Sequence, residues 1–381
     1  MERNTVGLKL KVLQFIHGLN MGGAETLVKE YCLKLDKEKY DVSVLCFYKY
    51  HTPIEKQLED AGIKITYIDD INDYKKDGKI SKFKRVWFFA KRILCVRNYI
   101  RRENPDIIHS HLNNNTYVWL AGPKKGARIF HTVHNELLEL WDESAESKLD
   151  LLACKKLIKS HQMRFITLHQ RMKKETDQFF EVDNTVVLNN GIDFDRFEAA
   201  LPKDVVRKRE EIPEDALVIG HVGRFNEQKN HKFLVDIFHK IYEKNKNAYL
   251  LMVGNGDLMP EAVEKLESLG LGSRYKILSY RMDIPDLLSA MDYFVFPSLF
   301  EGLSVVMIEA QKMKLPCFIS TTIEPATQIS NLVQWNDLES SAEVWAENIL
   351  NYQKVEPVYD DLNSWDMKNV VKRLEKIYEE I

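Results

Sequence analysis

The sequence has few cysteines and no long apolar run. Its five cysteines, among 381 residues, are scattered and form no C-x-x-C pair. This argues against a disulfide framework or a zinc site and fits a reducing compartment. The longest uninterrupted apolar run has six residues, from Ala248 to Val253, too few to cross a bilayer. Because the polar N-terminus is also unlike a signal peptide, a cytoplasmic protein is predicted.

A surplus of positive charge is also missing. The chain has 54 Lys and Arg residues against 57 Asp and Glu residues, a formal net charge of −3. Because a dedicated nucleic-acid binder normally carries a basic surplus that neutralises phosphates, no nucleic-acid partner is expected. Hydrophobic residues make up 45% of the chain and charged residues 29%, which is typical of a folded protein. The length suggests two domains.

Short β-branched runs alternate with longer helical patterns along most of the chain. The alternation pauses in the polar, turn-rich stretch 189–215 and restarts with the apolar run 217–222. Such alternation predicts parallel sheets with right-handed crossovers, whose ligands bind beyond the carboxyl ends of the strands. We therefore expect two doubly wound α/β domains, residues 1–200 and 201–363, and a C-terminal helix over 364–381.

Two motifs combine glycines or cations with the ends of predicted strands. Gly22 and Gly23 follow the first strand, where glycine lets backbone N–H groups approach an anion at a helix start. A plain tight turn is the alternative for this pair. Arg224 and Lys229 share the loop after the strand 217–222. A planar guanidinium and a compact ammonium suit a diphosphate, with a solvated loop as the alternative.

The sharpest motif runs from Ser298 to Ser304 and continues into a helix that carries Glu309. The free N–H groups at the helix start, which include those of Leu303 and Ser304, form an anion site. The carboxylates of Glu301 and Glu309 are spaced to grip sugar and ribose hydroxyls on either side of a bound phosphate. A capping residue and a solvated helix residue are the alternative, although a carboxylate among apolar neighbours is seldom idle.

Five histidines fall at or near the carboxyl ends of predicted strands: His17, His109, His111, His131 and His134. No acidic or cysteine partner stands at ligand spacing, so structural hydrogen-bonding roles are favoured over metal binding. His134 is the best candidate for a residue that faces a ligand. The triplet Asp193-Phe194-Asp195 matches a motif that binds metal and diphosphate in other architectures, but three residues often match by chance. We therefore expect no metal and no cofactor.

The segment 79–102 holds nine basic residues and no acidic one, with aromatic residues between them. Helical spacing of its apolar residues predicts a core-facing stripe of Phe83, Val86, Trp87, Ala90, Ile93, Leu94 and Ile100. The basic residues suit an anionic membrane surface, which attracts each nearby Lys or Arg by about 1 kcal/mol. A solvated helix face explains them equally well.

These motifs together resemble the retaining glycosyltransferases of family four, the group 1 glycosyltransferases of GT-B fold. The resemblance covers nearly the whole chain and is strongest over 217–320. The residues of that part look most like the branch of the family that makes bacterial capsules and exopolysaccharides. The resemblance rests on the following motifs: Gly223-Arg224 with Lys229, Gly254-Asn255-Gly256, Glu301 with seven residues before Glu309, Asn190-Gly191-Ile192-Asp193, Met21-Gly22-Gly23-Ala24-Glu25 and Pro105-Asp106-Ile107-Ile108-His109.

The resemblance implies two Rossmann-like domains that face a cleft. Residues 1–200 would bind the acceptor, residues 201–363 would bind the nucleotide-sugar, and the last helix would cross back to the first domain. Four residues would carry the catalysis: Glu301, Lys229, Arg224 and His134. The donor would be held by nine residues, of which the first two lie in the first domain: Gly22, Gly23, Arg224, Lys229, Arg281, Met282, Leu303, Ser304 and Glu309. His134 would lie near the sugar.

The implied reaction moves a sugar from a UDP- or GDP-type nucleotide-sugar to a saccharide acceptor, with retention of the anomeric configuration. A polyprenyl-diphosphate-linked acceptor and a place on the inner face of the plasma membrane would fit. Same-face attack and double displacement both remain open as mechanisms. The alternatives are a GT-B-like epimerase or inverting transferase, and a non-catalytic binding subunit at the membrane. The acidic segment 135–150 matches no pattern that identifies the acceptor.

Overall fold

The computed structural model describes residues 9–20, 22–70, 82–134, 144–279 and 281–380, with only the backbone of 82–85. The strands are β1 Leu10–Gly18, β2 Tyr40–Lys49, β3 Lys64–Asp70, β4 Ile107–His111, β5 Arg128–Val133, β6 Arg164–Thr167, β7 Val186–Val187, β8 Leu217–Val222, β9 Ala248–Val253, β10 Tyr275–Leu278, β11 Tyr293–Phe296, β12 Cys317–Ser320 and β13 Val333–Asn336. The helices are α1 Gly23–Lys34, α2 Pro53–Asp60, α3 Lys82–Glu103, α4 Asn115–Ala121, α5 Ala145–His161, α6 Gln170–Phe180, α7 Phe194–Glu198, α8 Lys203–Arg209, α9 His231–Lys244, α10 Met259–Ser268, α11 Ile284–Ser289, α12 Val305–Lys312, α13 Ala342–Leu350 and α14 Met367–Glu379.

Each half of the chain forms its own parallel sheet. The first sheet has the strand order β3-β2-β1-β4-β5-β6-β7 and the second has the order β10-β9-β8-β11-β12-β13. Every pairing between neighbouring strands is parallel. The order reverses between β1 and β4 in one sheet and between β8 and β11 in the other, and ligands of doubly wound sheets bind at such reversals.

The chain divides into two compact units, and the last helix belongs with the first. Unit 1 comprises residues 1–190 and 367–381, and unit 2 comprises residues 191–366. Residues 191–200 therefore lie in the second unit, whereas the sequence placed them in the first domain. The reason is local packing, because the Arg196 guanidinium donates to the Met282 carbonyl at 2.7 Å and the Leu201 N–H to the Asp286 carboxylate at 2.9 Å.

Helix α14 completes the core of unit 1. Val370, Leu374 and Tyr378 are fully buried and pack with Val12 of β1 and Phe130 of β5. Burial of each such side chain contributes about 1.5–3 kcal/mol relative to exposure. The predicted return of the last helix to the first domain is confirmed. The helix itself begins at Met367, after a 3₁₀ turn over Leu362–Trp365.

The predicted core stripe of helix α3 is wrong for Val86, Trp87, Ala90 and Leu94, which are exposed, whereas Ile100 is buried as predicted. Val86, Trp87 and Leu94 are 67%, 55% and 59% exposed. The side chain of Phe83 lies outside the described residues.

The buried side chains in the described part of helix α3 are Val96, Tyr99 and Ile100. Arg92 precedes them at helical spacing, and its guanidinium lies 4.8 Å from the Phe47 ring centroid. Burial of these three side chains, together with the cation–π contact of Arg92, leaves Val86, Trp87 and Leu94 on the solvent-facing side. In the described part of the chain, no helix is both long and apolar enough to serve as a membrane span.

Candidate functional site

The loops after β8 and β9 meet closely at the carboxyl edge of the second sheet. The Gly223 N–H donates to the Val253 carbonyl at 2.9 Å, and the Phe225 N–H donates to the Asn255 carbonyl at 3.0 Å. Gly254 has a φ of +153°, and a Cβ there would lie 1.9 Å from the Gly223 carbonyl oxygen. Only glycine fits this backbone, and the predicted glycine motif thereby fixes the shape of the loop after β8.

An ion pair lies where the strand order of this sheet reverses. The Lys229 Nζ and a Glu301 carboxylate oxygen are 2.5 Å apart, and the two side chains are 14% and 8% exposed. The same ammonium lies 4.5 Å from the centroid of the Phe296 ring at the end of β11. The Asn226 side chain accepts from the Lys229 backbone N–H at 3.2 Å and so fixes the turn. A paired cation and carboxylate are thus held at the expected ligand edge.

Two hydrogen bonds join the Lys229 turn to the Glu301 loop. The Leu299 N–H donates to the Gln228 carbonyl at 2.8 Å, and the Gln228 side-chain amide donates to the Phe300 carbonyl at 3.0 Å. Glu301 forms a parallel β-bridge with Ile323. These contacts position the ion pair without help from a ligand, which is the kind of preorganisation that electrostatic catalysis needs.

The start of helix α12 follows this loop directly. Leu303 and Ser304 are buried, and the Ser304 side chain does not cap the helix that it precedes. No acidic residue lies in the first turn, so the positive end of the helix dipole is not offset there. Glu309 lies one turn into the helix and is half-buried. The structure thus places four predicted residues of unit 2 together: Lys229, Glu301, Leu303 and Ser304.

Arg224 and Arg281 have different surroundings. Arg224 is exposed on the loop after β8. Arg281 is tied to Glu210 at 2.8 Å and to Asp283 at 2.6 Å. The hydrogen bonds that Arg281 donates to Asp283, and secondly to Glu210, raise the pKa of its guanidinium. These carboxylates occupy the Arg281 donors, and the Met282 carbonyl accepts from the Arg196 guanidinium of α7. A role of Arg281 and Met282 in donor binding stays a prediction.

The other predicted residues lie in unit 1. A Cβ on Gly23 would meet no atom within 4 Å, and one on Gly22 would meet only the flexible end of Glu25 as its nearest neighbour. Neither glycine is therefore demanded by the packing of the chain itself. His134 follows β5 and is half-buried, with its Nε2 3.0 Å from the Nδ1 of His111. Burial lowers the pKa of His134 to about 4, so the imidazole is neutral at pH 7.

Buried histidines surround His134, as expected for structural hydrogen-bonding roles. His109, His111 and His131 are all fully buried and hydrogen-bonded. Sequence reasoning missed Gln14 and Tyr378, which bond to this group from β1 and α14. No local motif marks either residue, and the polar side chain of Gln14 between the apolar Leu13 and Phe15 is the one signal in the sequence.

The acidic triplet Asp193-Phe194-Asp195 lies at the start of helix α7, well before Lys229 and Glu301 in the sequence. Asp193 precedes α7 and Asp195 lies in its first turn. Within the ranges that the structure describes, no cluster of three or more His, Cys, Asp or Glu side chains is arranged to hold a metal ion. The absence of a metal requirement stays a prediction.

Both halves of the chain match known protein families. The profile described as Glycosyltransferase Family 4 matches residues 21–196, and the profile described as Glycosyl transferases group 1 matches residues 216–351. The chain is 30% identical to the putative glycosyltransferase EpsF of Bacillus subtilis over 358 residues, 89% of this chain and 86% of that one. The two family matches and the similarity to EpsF therefore extend over nearly the whole length of the chain.

Further relatives have more specific names. A UDP-Gal:alpha-D-GlcNAc-diphosphoundecaprenol alpha-1,3-galactosyltransferase of Escherichia coli is 27% identical, with 90% of this chain and 89% of that one covered. The capsular polysaccharide biosynthesis glycosyltransferase CapH of Staphylococcus aureus is 22% identical, with 97% and 98% covered. Anabaena HepE, solved in complex with UDP and glucose, matches with a TM-score of 0.76 at 16% identity, covering 98% of this chain and 100% of that one.

Proposed function

The chain is a glycosyltransferase of family 4 with the GT-B fold, and from this premise we propose that it transfers a sugar from a nucleotide-sugar to a saccharide acceptor with retention of the anomeric configuration. The observation that carries the proposal is the Lys229–Glu301 ion pair at the strand-order reversal of unit 2. We further propose that the product enters a cell-surface polysaccharide, and the capsular relative supports this.

Leaving-group stabilisation falls to the cations of unit 2. Negative charge builds on the diphosphate as the glycosidic bond breaks, and preorganised donors aimed at that charge lower the barrier. Lys229 offers an ammonium that the protein already positions, and Arg224 offers an exposed guanidinium on the same loop. The N–H groups at the start of α12 add further donors. These groups account for departure of the diphosphate without a metal ion.

The carboxylates have separate tasks in this proposal. Glu301 contacts the hydroxyls of the transferred sugar while it orients Lys229, since its two oxygens can serve both partners. Glu309 on α12 binds the ribose. His134, neutral at pH 7, contacts the transferred sugar. Attack on the same face, assisted by the departing phosphate, is the preferred path, with double displacement as the alternative.

The relatives support a choice of substrates. The Escherichia coli relative is named for a UDP-galactose donor and a diphosphoundecaprenol-linked acceptor. We therefore propose a UDP-sugar as the donor and a lipid-diphosphate-linked saccharide as the acceptor, with a GDP-sugar as the second donor class. Thermal unfolding of the wild-type protein with each nucleotide-sugar tests this choice. A ligand present at 100 times its dissociation constant stabilises the folded protein by about 2.7 kcal/mol.

Product stereochemistry distinguishes the proposal from its alternatives. An α-linked nucleotide-sugar should give an α-linked product, as read from the anomeric proton coupling in the NMR spectrum. A β-linked product would identify an inverting transferase, and a released epimer of the donor sugar would identify an epimerase. Binding of the donor without transfer to any lipid-linked saccharide would favour a non-catalytic subunit.

Turnover should not depend on a divalent metal ion. The stabilising charges of the site belong to Lys229, Arg224 and the start of α12, so no step calls for a bridging cation. The measurement compares initial rates in EDTA and in excess Mn²⁺ after removal of metal from the protein. Equal rates are expected. Activity lost in EDTA and restored by Mn²⁺ would contradict the expectation.

Helix α3 is the proposed contact with an anionic membrane surface. Its exposed face carries Val86, Trp87 and Leu94, followed by the exposed cations Arg101 and Arg102. Such a combination of apolar and basic side chains suits the boundary between headgroups and acyl chains. An acceptor held on a lipid diphosphate would make this contact useful, because it keeps the enzyme where the acceptor lies.

Vesicle binding tests the membrane contact. Charge reversal of Lys82, Lys84 and Arg85 should weaken binding to phosphatidylglycerol vesicles at low salt by about 100-fold, since each cation near the surface contributes about 1 kcal/mol. Trp87→Ala should weaken it as well. The matched control is Val358→Ala, which removes an equally exposed apolar side chain, 64% exposed, from unit 2. Unchanged binding by the first two variants would leave α3 a solvated helix.

A further inference from the structure

A continuous chain of buried side chains runs from helix α14 to His134. The Tyr378 hydroxyl lies 2.7 Å from the Nδ1 of His109 and 3.0 Å from the Gln14 side-chain nitrogen. The Gln14 side-chain oxygen lies 2.9 Å from the Nε2 of His111, whose Nδ1 lies 3.0 Å from the Nε2 of His134. All members except His134 are fully buried, so water does not compete for these hydrogen bonds.

The donors and acceptors of this chain have one consistent order. The Gln14 carbonyl can only accept, so His111 must be protonated on Nε2 and its Nδ1 must accept. His134 must then donate from Nε2, which leaves its Nδ1 as the unprotonated nitrogen. At the other end, the Gln14 amide donates to the Tyr378 oxygen, and the Tyr378 O–H donates to His109.

The hydrogen bonds at the His109 end of this series follow a matching order of donors and acceptors. With its Nδ1 accepting from Tyr378, neutral His109 carries its proton on Nε2, which faces the Thr132 hydroxyl at 2.7 Å. Burial lowers the pKa of both His109 and His111 well below the usual value, which keeps both rings neutral and makes the choice of tautomer meaningful. Every buried nitrogen of His109 and His111 therefore has a partner.

We propose that Tyr378, Gln14 and His111 are positioning residues that hold His134 in the tautomer protonated on Nε2, so that its Nδ1 accepts a hydrogen bond from a sugar hydroxyl. This inference rests on the proposed contact of His134 with the transferred sugar. The outer ring nitrogen is an acceptor and so selects a hydroxyl at that position of the sugar. A sugar with no hydroxyl there would leave the nitrogen unpaired, which is how buried polar groups reject deoxy analogues.

The last helix gains a function beyond packing in this scheme. Tyr378 is 364 residues from Gln14 in sequence and reaches it only because α14 returns to unit 1. Its hydroxyl fixes which end of the Gln14 amide faces His111. Without that hydroxyl the amide can rotate, and the Gln14 nitrogen can donate to His111. The tautomers of His111 and His134 would then both reverse.

Tyr378→Phe is the test, because it deletes one hydroxyl and keeps the ring. The matched control is Tyr40→Phe, since Tyr40 is also buried and its hydroxyl lies 3.4 Å from Glu379 of the same helix, outside the chain of bonds. Histidine tautomers are read from ¹⁵N NMR of protein labelled at histidine, with His134 assigned by its loss in His134→Asn. Gln14→Met, which keeps the volume and removes both bonds, serves as the second variant.

The wild type should show His134 protonated on Nε2 alone, and so should Tyr40→Phe. Tyr378→Phe and Gln14→Met should show mixed or reversed tautomers. Their kcat should fall by about 10-fold, the low end for loss of a residue that orients a functional histidine, while KM for the nucleotide-sugar stays near wild type. A wild-type His134 protonated on Nδ1, or a tautomer unmoved in both variants, would overturn the inference.

The spectra separate this inference from the proposed function, because they need no substrate. A wild-type protein that transfers no sugar but shows the expected tautomers would overturn the proposed function and support the positioning chain. Full transfer activity with unmoved tautomers would do the reverse.

Discussion

Lys229→Ala should lower turnover by about 10²–10³-fold, which corresponds to roughly 2.7–4 kcal/mol of lost transition-state stabilisation. The ammonium lies at the carboxyl edge of the second sheet and is held by Glu301 and by the Phe296 ring. Charge on the departing diphosphate grows along the reaction, so a positioned cation acts most strongly in the transition state. Initial rates at saturating donor and acceptor measure the effect.

Folding and general charge effects need separate controls for this variant. Removal of Lys229 leaves the Glu301 carboxylate buried without its cation, which destabilises the fold and requires melting temperatures for every variant. Lys232→Ala removes an exposed lysine three residues further on, whose partner is Glu261, and should leave turnover unchanged. Near-wild-type turnover of Lys229→Ala would show that the site has been wrongly assigned.

Glu301→Ala should lower turnover by about 10²-fold, because the transferred sugar loses a contact that sets its orientation. The variant also releases the Lys229 ammonium from its partner at 2.5 Å. The freed cation can bind the diphosphate of the donor more tightly. Donor affinity should therefore stay the same or rise while turnover falls, whereas Lys229→Ala should weaken both.

Glu309→Ala is the matched control for Glu301→Ala, since it removes a carboxylate of the same motif from α12. Ribose contacts are shared by the ground state and the transition state, so this variant should raise KM and leave kcat near wild type. A Glu301→Ala variant that behaves like Glu309→Ala would contradict the assignment of Glu301 to the transferred sugar.

The strands and loops that surround the candidate site of unit 2 could be predicted because their determinants are local. Strands β8 and β9 coincide with the apolar runs 217–222 and Ala248 to Val253 of the sequence, and each run is followed directly by a glycine. Gly254 illustrates the reason, because a positive φ is required where the loops after β8 and β9 meet. The glycine motif seen in the sequence is therefore required by the backbone geometry of this loop.

Features that depend on distant partners were not predictable. The spacing of apolar residues in α3 did not predict which face of the helix is buried. The buried face contains Val96 and Ile100, and Arg92 contacts the rings of Phe47 and Tyr48 in β2. Strand β13 was missed because Val333–Asn336 has only two apolar residues and takes its pairing from β12. Arg281 looked available in the sequence, but Glu210, 71 residues earlier, occupies its guanidinium. Gln14 and Tyr378 are a further such pair.

The central claim is that Lys229 recognises the diphosphate of a nucleotide-sugar. Calorimetric titration of the wild type and of Lys229→Ala with UDP and with UMP tests it most directly, and the GDP and GMP pair covers the second donor class. The two ligands of each pair differ by one phosphate. The account predicts that the wild type binds the diphosphate more tightly and that Lys229→Ala loses this preference while still binding the monophosphate. An equal preference for the diphosphate in both proteins would contradict the account.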